Sequence, residues 1–437
     1  MVHTIKGMIM EKKEYINNLK QFIEISSCSY TCIETIKKIL TEKHFTEFLE
    51  NEEWTEQNQF FVTRASGSII GVKMPKQKSE AFQIITTHLD TPALLLKPNG
   101  AFCKENYLQY NVMPYGGLLN YGWLDEPLSL AGRVLIKKKN TWQEQIIDLK
   151  KTVATIPSVA IHQNDKANSN LDLNMQTDLQ PLFFLSDKKE SWQTFLTKEL
   201  NLTKDETLGD FDLFLYNNRE PVLFGKNEEL LLSPRIDNIT SVYAALQSFL
   251  ECTPKNIAVF CAFNNEEIGS LTKEGADSNF LLDILKRIAV LKDLDITTTL
   301  ANSWIISSDN THAIHPNHPE YADITSKGHL NEGFAIVKEI NSTTDAVFSS
   351  ILKDLCQKNK ILYQDITAKN DLVGGSTLSG LSLRHVSVNS IDVGIPELAM
   401  HSSVELCSTK DCHELYKMMK AFYNAKITNK NKSYKIS

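Results

Sequence analysis

Five times along this 437-residue chain, residues able to bind metal ions appear where an apolar strand, or the approach to one, gives out. The places are His88-Leu89-Asp90, Arg235-Ile236-Asp237-Asn238, Asn264-Asn265-Glu266-Glu267, Ser308-Asp309-Asn310-Thr311-His312 and Ala399-Met400-His401-Ser402. The clearest run, Ile257–Phe263, has no polar residue and reads as a strand buried on both faces. Open α/β sheets bind their ligands in the crevice at the carboxyl ends of strands. The recurrence therefore predicts an α/β fold whose chemistry gathers along one edge of a sheet.

The rest of the chain fits around that sheet. Ile16, Leu19, Phe22 and Ile23, then Cys32, Ile36 and Leu40, recur at helical spacing and predict two helices around a loop at Ser26–Tyr30. Phe60–Ile70 reads as a strand and turn pivoting on Gly67, and Phe82–Ile85 as a short apolar strand. From about Pro98 to Leu223 short alternating runs between turns predict a β-rich block, with disorder expected around Lys166–Asn170. Helices are expected at Ile239–Phe249, Asp277–Leu291 and Asp411–Ala425, and further strands at Ser303–Ser307 and Ser390–Val393. The layout is one α/β domain, 1–97 and 224–437, interrupted by an insertion at 98–223.

Each candidate also has a plainer role. His88 and Asp90, two apart on an extended segment, share a face, so the imidazole could bind metal while the carboxylate orients it; both could instead sit in a turn before Pro92. Glu266 and Glu267 leave a buried strand in different directions, suiting one to ligation and the other to proton transfer; a solvated acidic turn before Gly269 is the alternative. Asp237 could bridge ions or cap a helix. Asp309 ends the Trp304-Ile305-Ile306 run; His312 and His315 beside it could bind metal or substrate, or form turns. His401 could be a core histidine or the nitrogen donor of a second metal position. Together the set suits two divalent ions about 3.5–4 Å apart, which can polarise a carbonyl, activate water and stabilise an oxyanion. Mixed His and carboxylate donors favour zinc, with cobalt or manganese as substitutes.

Composition narrows the partners. A formal net charge of −7 and the lack of a basic stripe argue against nucleic acid, and Lys426–Lys435 reads as a frayed tail. No stretch approaches the roughly 18 apolar residues of a spanning helix, and the first residues lack a signal-type apolar region. Eight scattered cysteines imply no disulfide framework, and the spacings of Cys28/Cys32 and Cys407/Cys412 do not form a zinc pattern, so the cytoplasm is expected.

These residues resemble the M18 family of metalloaminopeptidases, the aspartyl aminopeptidase family. The likeness spans essentially the whole chain. It is carried by Phe61-Val62-Thr63-Arg64, Thr87-His88-Leu89-Asp90-Thr91-Pro92, Leu128–Val134, Ile156–His162, Ser233–Asn238, Asn265–Ser270, Ser308–Asn317, Gly375-Ser376-Thr377 and Ile395–Ser402, in that order. The resemblance implies a mixed-sheet zinc-peptidase catalytic domain interrupted by a β-rich dimerisation domain. It implies His88 and Asp309 on one ion, Glu267 and His401 on the other, and Asp237 bridging both. Glu266 would be the general base and Asp90 the partner of His88. His162 would reach a neighbouring subunit's site, and the assembly would be a dodecamer built from dimers. The implied reaction removes unblocked N-terminal residues from short peptides.

Two departures bear on specificity. Many relatives have a basic residue near Glu126, and Glu332 stands near the place where some aspartyl-selective relatives have a lysine that this chain lacks. A buried substrate carboxylate needs a compensating group. Strict acidic preference is therefore not carried over, and neutral or basic first residues remain open. The competing readings are a related zinc deacylase or carboxypeptidase and a non-enzymatic metal-binding scaffold. A glycosidase could use paired carboxylates but has no need of the histidines.

Overall fold

The structure, a computed structural model, describes residues 9–169, 172–186, 188, 192–371 and 378–437. The motif Gly375-Ser376-Thr377 and Asn170 lie outside the described residues, and the neighbouring Lys166–Ser169 form turns.

The centre is a nine-stranded mixed sheet. Its middle strand, Phe82–His88, is buried at every residue and runs parallel to Ile257–Phe263 on one side and Trp304–Ser308 on the other. Asn389–Gly394 continues the parallel set beyond Trp304–Ser308. Hydrogen bonding fixes the register, with His88 level with Phe263 and Thr86 level with Ser307. Four carboxyl ends therefore open on one edge, and the polar residues following three of them are His88-Leu89-Asp90, Asn264–Glu267 and Asp309. The sheet becomes mixed where Ser68–Lys73 runs antiparallel to Ile257–Phe263. That strand forms a hairpin with Gln59–Arg64, so the expected Phe60–Ile70 strand and turn is two paired strands.

Helices cover the sheet through apolar stripes. Lys12–Ile25 buries Tyr15, Ile16, Leu19, Phe22 and Ile23, the i, i+4, i+7 set that faces one side of a helix. Tyr15 stacks on Tyr416 at 4.9 Å and meets Tyr243 at 5.1 Å, joining this helix to Thr409–Asn424 and Ile236–Glu251. A fully buried aromatic of this kind contributes about 1.5–3 kcal/mol by leaving water.

Two further sheets reach the same edge. A six-stranded antiparallel sheet is built from Ala93–Lys104, Tyr107–Tyr115, Leu128–Lys138, Thr141–Asp148, Leu182–Leu185 and Glu206–Asn217. A five-stranded sheet contains Thr311–His312, Pro396–Leu398 and Glu405–Ser408, and His401 sits in the connection between the last two.

The expected tail at Lys426–Lys435 is instead a β-hairpin, Ile427–Lys430 paired with Ser433–Ile436. Asn431 and Lys432 both have positive φ, the geometry of a two-residue hairpin turn, and Ile427 is buried against the core. The lysines hid this pairing because an edge hairpin tolerates charge on its outer face. Among the described residues no helix is long and apolar enough to cross a membrane.

Candidate metal centre

His88 is the last residue of the central strand, and its side chain is 1% exposed. Its Nδ1 lies 3.0 Å from the main-chain oxygen of Asp90. A carbonyl only accepts, so Nδ1 carries the proton and Nε2 is directed away from it. Nε2 faces Asp309 Oδ1 at 3.1 Å and Asp237 Oδ1 at 3.5 Å. The second oxygen of Asp237 faces a different histidine, His401 Nε2, at 3.4 Å, and that same nitrogen is 3.5 Å from Glu267 Oε2. One carboxylate thus spans two imidazoles from opposite ends of the chain.

The Asp90 carboxylate has further partners beyond the His88 that its spacing suggests. It stands 3.7 Å from His88 Nδ1, so the main-chain oxygen of Asp90 orients the ring. The carboxylate accepts the N–H groups of Glu266 (3.2 Å) and Glu267 (3.1 Å) and the hydroxyl of Tyr115 (2.8 Å). Tyr115 in turn accepts from the Asn265 amide at 2.9 Å. Asn265 has φ +65, turning the chain sharply out of the Ile257–Phe263 strand so that both glutamates leave toward the centre.

His401 is held by a segment that follows Tyr107–Tyr115. Its Nδ1 donates to the Gly117 carbonyl at 2.8 Å, leaving Nε2 for the carboxylates. Its own carbonyl accepts the Leu119 N–H at 3.0 Å, and its N–H goes to Glu405 Oε1 at 2.8 Å. Gly116 has φ +81, and a Cβ there would lie 3.0 Å from Glu267 Oε2, so this turn needs glycine for both space and conformation.

The charges are unbalanced without cations. Burial, reinforced by Asp309, Asp90 and Asp237, pushes Glu266 up to about 8. Burial and Asp237 raise Glu267, and burial raises Asp309. Burial opposes a charge on His88 and His401, yet the carboxylates win: His88 is raised by Asp309 and Asp237, and His401 is raised to about 10 by Asp237 and Glu267. Burial works against ionised Asp237, but the two histidines hold it below the usual carboxylate range. Protons are thus recruited to do what divalent cations would do.

The donor set fits such cations. Asp237 Oδ1 and Glu267 Oε1 are buried with no hydrogen-bond donor of good geometry, a costly state for acceptor-only oxygens. Among the described residues, two groups place one donor atom each within 4.8 Å of one another: His88 with Asp237 and Glu267, and His88 with Glu266 and Asp309. His401 joins them through the contacts with Asp237 and Glu267. None of the eight cysteines belongs to these groups, and all eight are free thiols.

Other candidates fall outside this cluster. His162 is exposed in a turn. His315 is also exposed, with its Nδ1 accepting the Asn317 N–H at 3.2 Å and its backbone bridged to His318. His312 is exposed as well; loss of hydration around its ring lowers its pKa, against the opposing pull of Asp237 and Asp309. Glu126 is paired internally, 2.6 Å from Arg219 Nε and 3.0 Å from the Asn217 amide. Glu332 is exposed. Tyr115, Gly117 and Glu405 were not singled out by sequence reasoning.

Residues 22–423 match the profile described as aminopeptidase I zinc metalloprotease (M18). The chain belongs to the M18 family. A relative named probable M18 family aminopeptidase 2, from Clostridium novyi, is 36% identical over 430 residues, covering 94% of this chain and 99% of its own. The solved Ape4 in the Ape4 and Nbr1 complex superposes with a TM-score of 0.88 at 29% identity, covering 95% of this chain and 87% of that one. The S. cerevisiae mApe1 dodecamer shares the fold, with a TM-score of 0.82 at 24% identity over 94% of this chain and 96% of its own. As an M18 metalloaminopeptidase the chain is a hydrolase, and the expected α/β fold stands; neither the deacylase, the carboxypeptidase nor the scaffold reading gains support.

Proposed function

We propose that this M18 enzyme holds two divalent ions, zinc by the family's description with cobalt or manganese as substitutes, and removes unblocked N-terminal residues from short peptides. The observation that carries the reading is the Asp237 carboxylate, whose two oxygens face His88 and His401 separately. On this reading His88 and Asp309 hold one ion, Glu267 and His401 the other, and Asp237 is shared. When bound, such ions polarise the scissile carbonyl, acidify water and stabilise the developing oxyanion.

The chain's own groups supply the rest. Glu266, beside His88 and Asp309, is the general base: its carboxylate takes the proton of the attacking water and returns it to the leaving amine. Asp90 keeps that base in place by accepting the Glu266 and Glu267 N–H groups. For substrate contact the candidates are His162 and His315, both exposed.

The same reading takes 1–97 and 224–437 as the catalytic unit and 98–223 as a dimerisation domain, in keeping with the separate six-stranded sheet. It includes a homo-oligomer, on the precedent of the mApe1 dodecamer, in which His162 contacts the substrate of a neighbouring subunit. Nucleic acid and membrane are not among the partners, and eight free thiols suit the cytoplasm.

The test uses reporter peptides with free and acetylated N termini, before and after chelation. Cleavage of the free peptide alone, lost on chelation and restored by zinc, is expected. Equal cleavage of the blocked peptide would overturn the assignment. Mixing subunits mutated separately at His162 and Glu266 should restore activity if the site is shared, and verified mixed assemblies that stay inactive would oppose it.

A further inference from the structure

We propose that Glu405 is the positioning residue of the centre, fixing Asp237 and His401 at the separation two ions require. The inference rests on the two-ion reading above and assigns a role to a residue that would touch neither ion.

Glu405 opens the strand Glu405–Ser408, and the residue is 1% exposed. Its two oxygens go to two different segments: Oε2 accepts the Asp237 N–H at 3.0 Å and Oε1 accepts the His401 N–H at 2.8 Å. Neither segment is held by regular structure. Asp237 has φ −79 and ψ 112 inside the first turn of Ile236–Glu251, and His401 has φ +66. A non-glycine residue in the left-handed region persists only when its surroundings fix it. One carboxylate therefore ties together the backbones of the shared acid and the more exposed histidine.

A buried arginine lies behind Glu405. Arg235 lines a cavity of about 10 Å³ together with Glu405, Asn217 and Ser403. Its guanidinium is buried, donates to the carbonyls of Asn217 (2.9 Å) and Ile23 (3.2 Å), and stacks on Tyr216 at 5.2 Å. No carboxylate lies within ion-pair distance of it among the described residues, and Tyr216 and Asp148 act on it more strongly than Glu405 does. The two accepted N–H groups explain why a carboxyl group rather than an amide suits the position. Glutamine keeps one accepting oxygen and would turn an NH₂ toward the other backbone N–H.

The experiment is zinc titration of chelator-stripped enzyme by calorimetry, with elemental analysis and melting temperatures of stripped and loaded protein. Wild type, E405Q, E405D and E251Q are compared; Glu251 belongs to a separate ion pair with Lys420. Outer partners of metal ligands typically set about 10–100-fold in affinity. E405Q is expected to lose that much affinity for at least one of two equivalents and most of the zinc-induced rise in melting temperature, measured against its own stripped protein. E405D, charged but too short to span both N–H groups, should show the same loss. E251Q should melt lower in both forms with its zinc affinity unchanged. Two equivalents bound at wild-type affinity in E405Q or E405D would overturn the role of Glu405. Fewer than two equivalents in wild type would overturn the two-ion reading itself.

Discussion

The two histidine ends of the centre are built in opposite ways. His88 finishes a strand whose neighbours on both sides are hydrogen-bonded in parallel register, and its side chain is 1% exposed. His401 sits in a strand connection at positive φ with its side chain 29% exposed, held by the Gly117 carbonyl, the Leu119 N–H and Glu405. The first end exists as soon as the central sheet forms. The second is assembled only when a segment from beyond that sheet closes on it. Rigid sheet edges give precision, whereas connections admit adjustment and carry more of the local opening.

The largest expected effect ignores the asymmetry and so calibrates it. Glu266→Gln should lower kcat about 10²–10⁴-fold while both zinc equivalents remain, because it removes proton transfer and not ligation. Turnover near wild type in zinc-loaded protein would remove Glu266 from that role. Next come His88→Ala and His401→Ala, each expected to lose zinc and activity. Added imidazole should restore zinc and turnover only at position 401, where the ring is reachable; equal rescue at both would erase the contrast. Gly116→Ala is expected to cost about 1–2 kcal/mol through its backbone conformation, read as roughly tenfold weaker binding of one zinc equivalent. Loss of both equivalents together would show that the two ends are not independent.

The smallest effect is a slope. In chelated protein Glu266 is raised to about 8, so the folded state binds the extra proton and stability falls as pH rises from the ordinary glutamate range to 8. His401, raised to about 10, contributes stability below about 6.5 that is lost as pH climbs through 10. Both signs agree: stripped protein should melt progressively lower from about pH 5 upward, and zinc should flatten the trend. A flat profile in stripped protein would contradict the protonated state of the cluster.

The sequence disclosed these two ends unequally. Phe82–His88, Ile257–Phe263 and Trp304–Ser308 were readable because an apolar run that stops at a charged residue is a local pattern, and a parallel sheet brings its strand ends together. The six residues His88, Asp237, Glu266, Glu267, Asp309 and His401 do meet in one cluster. What holds them was not readable. A carbonyl such as that of Gly117 has no side-chain signature, and Glu405 and Tyr115 act through hydrogen bonds to distant backbone and side-chain groups that leave no periodicity. The Ile427–Ile436 hairpin was hidden for a related reason, since its lysines spoke louder than two flanking isoleucines.

The spread of the donors from residue 88 to residue 401 has a consequence for biosynthesis. A ribosome delivers His88 early, but Asp237, Glu267, Asp309 and His401 follow in turn, and domains fold as they emerge. On the proposed two-ion reading, a chain stalled before His401 has no complete binding set, so a truncated product carries no active hydrolase into the pool of newly made peptides.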